Sequence, residues 1–487
     1  MIFNSLDFAV FLPITFALYW LIGSKDTKGQ NLLILGASYL FYGWWDWRFL
    51  SLIAFSTLVD YLVGLNIPKA KSSNLRKRLL ALSVLVNLGI LGFFKYYNFF
   101  VENFVSAFTL LGFDVSPSSL NIILPVGISF YTFQTMSYTI DIYRGKIEPT
   151  KDLISFATFV SFFPQLVAGP IERASNLLPQ FLKRRSFDYA NGVAGLRQIL
   201  WGLFKKIVIA DNCAEIANAT FNEPELYPGS SLLIGAILFS FQIYGDFSGY
   251  SDIALGTSRL FGFRLMRNFA FPYFSRDIAE FWRRWHISLS TWFRDYLYIP
   301  LGGSRVGFWL QIRNVMAIFL VSGFWHGANW TFIAWGGLHA CYFLPLLLLK
   351  RNRLNLDNAG SGKLRLSAKE FFGIIRTYFL VVIAWVFFRA ESVGAAVQYL
   401  QKTFNKSLFS TPFILEQGTG NQIIPKTIFI LIGIMLIIEW LGRKGEYGLE
   451  KVLSNLNRPM RYFTYYAIIF SIFYFGGKPQ TFIYFQF

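Results

Sequence analysis

The stretch "SGFWHGANWTFIAW" spans residues 322–335 and sets one imidazole, His326, between Trp325 and Gly327 in an otherwise apolar run. The chain holds three histidines in 487 residues: His286, His326 and His339. A run so poor in charge, repeated in kind from end to end, belongs in a bilayer interior, and that reading decides the fold class.

Composition agrees. Hydrophobic residues make up 54%, aromatics 19% and charged residues only 15%, whereas soluble domains carry about a quarter charged residues. Apolar runs lie near 6–22, 31–46, 48–67, 79–105, 120–138, 153–168, 190–210, 231–256, 312–324, 331–349, 371–389, 427–442 and 462–476. Several are too short, or too interrupted by Gly and Pro, to cross alone. Such segments are tolerated where loose backbone packs in protein or lines a cavity. The expectation is an all-α, polytopic membrane protein, one domain over 1–487, with about eleven crossings plus re-entrant or interfacial helices. The N-terminal "MIFNSLDFAVFLPITFALYWLIG" has neither a basic leader nor a small-residue cleavage site, and reads as a retained first span.

The balance of 45 Lys and Arg against 27 Asp and Glu gives a net charge of +18. No basic soluble domain is set apart to grip nucleic acid. The loops segregate instead. "PKAKSSNLRKR" (68–78), 172–185, 350–376 and 443–461 are basic, 211–230 carries only acids, and 109–122 has only Asp114. Placing the basic loops in the cytoplasm gives a consistent alternation with both termini outside. The polar segment 351–370 reads as a flexible cytoplasmic loop. Cys213 and Cys341 lack disulfide or metal spacing, and the histidines lack a companion acid at ligand spacing, so no metal is expected. Neither a Walker-type phosphate loop nor a Gly-x-Ser-x-Gly elbow is present.

Residues 275–304, "SRDIAEFWRRWHISLSTWFRDYLYIPLGGS", place Ile278, Phe281, Trp282, Trp285, Leu289, Trp292, Phe293 and Tyr296 at helical spacing. They predict one amphipathic interfacial helix, N-capped by Ser275 and stopped by Pro300, Gly302 and Gly303. Arg283, Arg284, Arg294 and Asp295 lie off its aromatic stripe. His286 falls on or beside the buried stripe, where a packed and a functional role stay equally open. His326 favours function, because ionisable groups kept at membrane depth tend to line cavities and do work. Burial also favours the neutral imidazole that a general base needs, and Gly323 and Gly327 leave room for backbone or substrate. His339 reads as a core residue. Asp246 and Asp252 read as structurally paired, with an arginine of the amphipathic helix one candidate partner.

Four stretches, "PVGISFYTFQTMSYTIDIYRG" (125–145), "FVSFFPQLVAGPIER" (159–173), "FWRRWHISLSTWFRDYLYIPLGGS" (281–304) and "SGFWHGANWTFIAWGGLHA" (322–340), resemble the membrane-bound O-acyltransferase family. The resemblance is to its bacterial branch of alginate and peptidoglycan O-acetylation proteins. The N-terminal "FNSLDFAVFLPITFALYW" and the ending "FIYFQF" are similar to that branch too. The resemblance implies a helical fold around a central tunnel, with His326 catalytic and His286 a second functional histidine. Arg283, Arg284, Arg294 and Asp295 would flank a cytoplasmic donor entrance, and Trp325, Asn329 and Asp246 would line the tunnel. It implies acetyl-CoA as donor with no bound cofactor, in the bacterial inner membrane. The acceptor would be an envelope polysaccharide, reached directly or through an exported SGNH-type acetyltransferase. The D-alanyl-transferring branch shares both histidines, but "YIPLGGS" (298–304) fits the acetylating branch better. A transporter would need matched, interrupted half-repeats, which the sequence does not display.

Overall fold

A computed structural model describes all residues except 22–25, 114–119, 168, 361–364, 417–419, 478–479 and 484–487. Asp114 and the last four residues of the "FIYFQF" ending thus lie outside the described residues. Among the described residues the regular structure is helical apart from a short antiparallel pair, Ile414–Glu416 with Gly420–Gln422. Among the described residues six helical stretches are long and apolar enough to cross a membrane: Thr27–Asn66, Ser73–Leu110, Gly229–Leu260, Phe308–His326, Trp330–Leu348 and Ala368–Arg389. Large apolar side chains such as Leu6, Trp47, Trp309 and Phe473 stand at least three-quarters exposed on helix surfaces, as lipid contact permits.

Two compact units emerge: Met1–Gly195 with Thr257–Met266, and Leu196–Gly256 with Arg267–Phe487. In the first, the helices Ser73–Leu91 and Leu153–Ser161 are started by side-chain caps. Ser72 accepts from the Leu75 amide at 3.2 Å and Asp152 from the Ile154 amide at 3.0 Å. Its interior holds a polar knot. Asn87 donates to Asp60 at 2.8 Å, Ser56 donates to Asn87 at 2.9 Å, and Ser83 donates to Asp60. Satisfied polar groups of this kind tie apolar helices together where the hydrophobic effect cannot.

In the second unit, the helix that continues from Leu196 passes through a π-helical stretch, Phe204–Ala210, into Asp211–Asn222. The wider turn presents Lys205 and Lys206 inward to the helix Gly229–Leu260. Lys205 pairs with Asp252 at 2.6 Å, and Lys206 with both Asp246 and Asp211 at 2.8 Å. Asp246 also accepts from the Ile483 amide at 2.7 Å. The two aspartates are therefore paired structurally as expected, but by lysines of a neighbouring helix and not by an arginine of 275–304.

Candidate functional site

His326 closes the helix Phe308–His326, which ends as Gly327 turns extended. The return helix Trp330–Leu348 starts at Asn329, whose side chain accepts from the Thr331 amide at 3.0 Å and donates to the Glu391 carbonyl at 3.0 Å. The two helices touch backbone to backbone. A Cβ on Gly323 would lie 2.2 Å from the Phe332 carbonyl oxygen, and one on Gly336 2.3 Å from that of Phe319. A Cβ on Gly327 would meet the Phe332 ring at 2.1 Å. The glycines around His326 thus admit the return helix, the first of the two alternatives that the sequence left open. This packing brings Trp335 perpendicular to the His326 ring at 5.2 Å, with Phe388 at 5.6 Å.

His286 reaches the same place by a different device. The amphipathic helix expected over 275–304 is broken into Ile278–Arg284 and Ile287–Phe293, followed by a π turn Arg294–Tyr298. Its cap is Asp277, which accepts from the Glu280 amide at 2.7 Å, while Ser275 bonds back to the Pro272 carbonyl. At the break His286 takes φ +43°, a left-handed conformation, which costs a non-glycine residue of order 1–3 kcal/mol and must be held by its surroundings. The extended segment before it does the holding. The Ala270 amide donates to the Arg284 carbonyl and the Ile287 amide to the Asn268 carbonyl, each at 2.9 Å. An uninterrupted helix would have carried His286 past this position.

Asn268 also sets the protonation geometry. Its Oδ1 lies 3.0 Å from His286 Nδ1 and accepts from Ser288 Oγ at 3.0 Å, while its Nδ2 donates to Ser251 at 3.3 Å. The Ser288 backbone N–H, which can only donate, also points to Oδ1 at 3.4 Å and sets the amide's orientation, so Nδ1 of His286 is the donor and Nε2 carries the lone pair. Burial, reinforced by the neighbouring His326, holds His286 well below the usual imidazole range and keeps it neutral. The rings of His286 and His326 are 6.4 Å apart, centre to centre, and both side chains are buried. Two imidazoles forty residues apart in sequence thus face one another in a water-poor aromatic setting.

The other predicted residues scatter. His339 is a core residue, accepting from Trp282 Nε1 at 3.2 Å and lying parallel to the Phe281 ring. Trp325 is half-buried beside His326, Asn329 is a helix cap, and Asp246 is buried against Lys206. Arg283 donates to the carbonyls of Asn352 and Asn355 at 3.0 and 2.7 Å. Arg284 bonds Glu280, the Asp357 carbonyl and Asn358. Together with Arg276, which pairs with Glu280, Asp357 and Glu370, they clamp 352–358. That part of the loop expected to be flexible is therefore held, because the guanidinium donors of Arg276, Arg283 and Arg284 take its carbonyls as acceptors. Arg294, paired with Asp295 at 2.7 Å, lines a cavity of about 230 Å³ with Arg353, Trp282, Phe319 and Ser322. Ser322 sits one helical turn from His326. Sequence reasoning passed over Asn268, Trp335 and Phe388, since a buried Asn in a loop and aromatics in a span carry no local signal. Among the described residues no cluster of three His, Cys, Asp or Glu side chains is arranged to hold a metal ion.

The pattern of the membrane-bound O-acyltransferase family matches residues 149–356, which contain all three histidines. The chain is 43% identical over 411 residues to a probable alginate O-acetylase of Pseudomonas putida, covering 83% of this chain and 80% of that protein. It is 42% identical over 451 residues to the probable alginate O-acetylase of Pseudomonas aeruginosa, covering 92% and 82%. It is 36% identical over 430 residues to a peptidoglycan O-acetyltransferase of Helicobacter pylori, covering 82% and 79%.

Proposed function

The chain belongs to the membrane-bound O-acyltransferase family, in the branch of alginate and peptidoglycan O-acetylating enzymes, and on that premise we propose that it moves an acetyl group from acetyl-CoA on the cytoplasmic side to an exported envelope polysaccharide. It is an O-acyltransferase of the membrane. The acceptor hydroxyl belongs to the glycan itself or to an exported SGNH-type partner that completes the transfer. The setting we infer is the bacterial inner membrane, crossed about eleven times around a tunnel. The four residues Arg283, Arg284, Arg294 and Asp295 are divided in this reading. Arg283 and Arg284 shape the loop at the donor side, and Arg294, paired with Asp295, lines the cavity that reaches Ser322, one helical turn from His326.

The observation that carries the reading is the buried facing pair of imidazoles. His326 takes the proton of the acceptor hydroxyl as its oxygen attacks the thioester carbonyl. The tetrahedral intermediate collapses, breaking the C–S bond, and the departing thiolate takes the proton from His326. Neutral His286, with Nδ1–H donated to Asn268, presents a lone pair at Nε2, so it accepts a hydrogen bond and does not donate one. It therefore orients a reacting hydroxyl or the neighbouring imidazole, a role different from direct stabilisation of an oxyanion. The aromatic walls of Trp335 and Phe388 exclude water that would otherwise hydrolyse the thioester.

The test is thioester turnover by purified His326→Ala protein in lipid nanodiscs, with radiolabelled acetyl-CoA and an acceptor glycan. Loss of about 10²–10⁴-fold is expected for removal of a general base. Normal turnover by a normally folded variant refutes the assignment.

A further inference from the structure

In the first compact unit a pocket of about 340 Å³ is lined by Lys183, Arg184, Arg185, Arg259 and Arg264, with Asp188 the single acid. The acid is engaged locally. Its carboxylate accepts from the Ala190 amide at 2.9 Å, the Asn191 amide at 3.2 Å and Asn191 Nδ2 at 2.7 Å. Arg185 differs from the exposed cations of the rim, because its side chain is only 7% exposed. Buried arginines are ordinarily matched by a carboxylate. Here Nε donates to the Tyr19 hydroxyl at 2.6 Å, one Nη to the Gln180 carbonyl at 2.8 Å and the other to Asn31 Oδ1 at 2.6 Å. All three are neutral acceptors, and among the described residues Arg185 has no acidic partner. Its guanidinium also lies 4.7 Å from the centre of the Phe263 ring.

The pocket is built to keep this shape. Gln30 bonds both the amide and the carbonyl of Arg185, at 3.3 and 3.0 Å. Gln180 likewise bonds the amide and carbonyl of Arg264, each at 2.9 Å. The two walls, from 180–191 and 259–264, are thus held by the side chains of Gln30 and Gln180. A buried, fixed guanidinium at the base of a rigid basic depression lacks only a counter-ion, and the fork of an arginine matches the oxygens of a phosphate.

We propose that this pocket binds phosphate, carried either by an anionic phospholipid headgroup or by a soluble phosphate compound such as a nucleotide. The pocket belongs to the first compact unit and both histidines to the second, and the proposal does not depend on the acyl-transfer reading. Its charge would draw anionic lipid to the basic face, where each cation near the surface contributes about fivefold in affinity.

The test uses the full chain, delipidated in a non-ionic detergent. Affinity is measured by calorimetry for dioctanoyl phosphatidylglycerol, coenzyme A and inorganic phosphate. Wild type is compared with the double variant Arg184→Gln, Arg264→Gln, whose side chains are exposed and whose backbone bonds are kept. At least one probe is expected to bind wild type and to lose about 30-fold in the double variant, two cations at roughly fivefold each. Selective loss for phosphatidylglycerol identifies a lipid headgroup, and loss for coenzyme A together with phosphate identifies a soluble source. Arg264→Gln alone, expected to lose about fivefold, keeps the comparison decisive if the double variant unfolds early. The proposal is overturned if no probe binds wild type, or if every probe binds the variants equally well.

Discussion

Replacing Asn268 with Leu removes the acceptor for two buried donors, His286 Nδ1–H and Ser288 Oγ–H, each 3.0 Å from its Oδ1. His286 is 2% exposed, Asn268 1% and Ser288 fully buried, so water cannot replace what is lost. An unsatisfied buried donor costs about 1–3 kcal/mol, which puts the stability loss at about 2–6 kcal/mol for the pair. The catalytic consequence is separate. Without Asn268 the proton is free to occupy either ring nitrogen, and the left-handed backbone at His286 loses its nearest side-chain tether. Groups that orient a functional histidine in this way typically carry about 10–100-fold of activity. Asn268→Asp supplies the same acceptor at the same reach, so it should restore turnover. Its carboxylate would also raise the His286 pKa and move the acid limb of the pH–rate profile upward. The assay is acetyl-CoA turnover across pH in nanodiscs, with melting temperature read in parallel. If Asn268→Leu turns over like wild type, or if Asn268→Asp leaves the pH profile where it was, Asn268 does not position His286.

Other perturbations test the supports of the site. Gly336→Ala pushes a methyl against the Phe319 carbonyl at 2.3 Å, and rigid backbone cannot yield. We expect a loss of about 1–3 kcal/mol in thermal unfolding, with turnover falling further as the helix bearing His326 is displaced. Lys206→Met leaves Asp246 and Asp211 buried without their cation, at an expected cost of about 3–5 kcal/mol. Adding Asp246→Asn should recover part of it, and a Lys206→Met protein as stable as wild type would exclude the pairing. The low His286 pKa makes stability depend on pH. Below about 6.5 the unfolded chain takes up a proton that the folded site refuses, so stability falls with pH by at most about 1.4 kcal/mol per unit for this group. His286→Gln should flatten that part of the melting-temperature profile, and an unchanged slope would place the titration elsewhere.

What the sequence made legible follows the range over which each signal acts. Helices were visible because apolar runs are local. The predicted runs near 312–324 and 331–349 fall inside the observed Phe308–His326 and close to Trp330–Leu348. Ion pairing of Asp246 and Asp252 followed from the expense of burying a charge, but its partners did not. Lys205 and Lys206 face inward only because a π turn shifts the register there, and nothing local in "GLFKKIVIA" announces that turn. The break at Trp285–His286 was hidden for a related reason. The aromatic spacing through 278–296 is periodic enough for one helix, and the opposing demand comes from tertiary hydrogen bonds to 268–270.

The same contrast explains why one histidine could be singled out from composition and the other could not. His326 lies in a span, where an ionisable group is conspicuous against its own neighbours. His286 lies among arginines and aromatics, where a histidine draws no notice. It becomes conspicuous only in three dimensions, as a left-handed residue held by Asn268 and turned toward His326. The strain at φ +43° is informative here. A helix continuing through 285–286 would satisfy its backbone locally, yet the chain forgoes that helix and spends backbone and side-chain hydrogen bonds from 268–270 on one imidazole. Structural packing alone needs no particular tautomer. Fixing Nδ1 as the donor has a consequence only if Nε2 has a hydrogen bond to accept, and that makes the Asn268–His286 contact the sharper indicator of function.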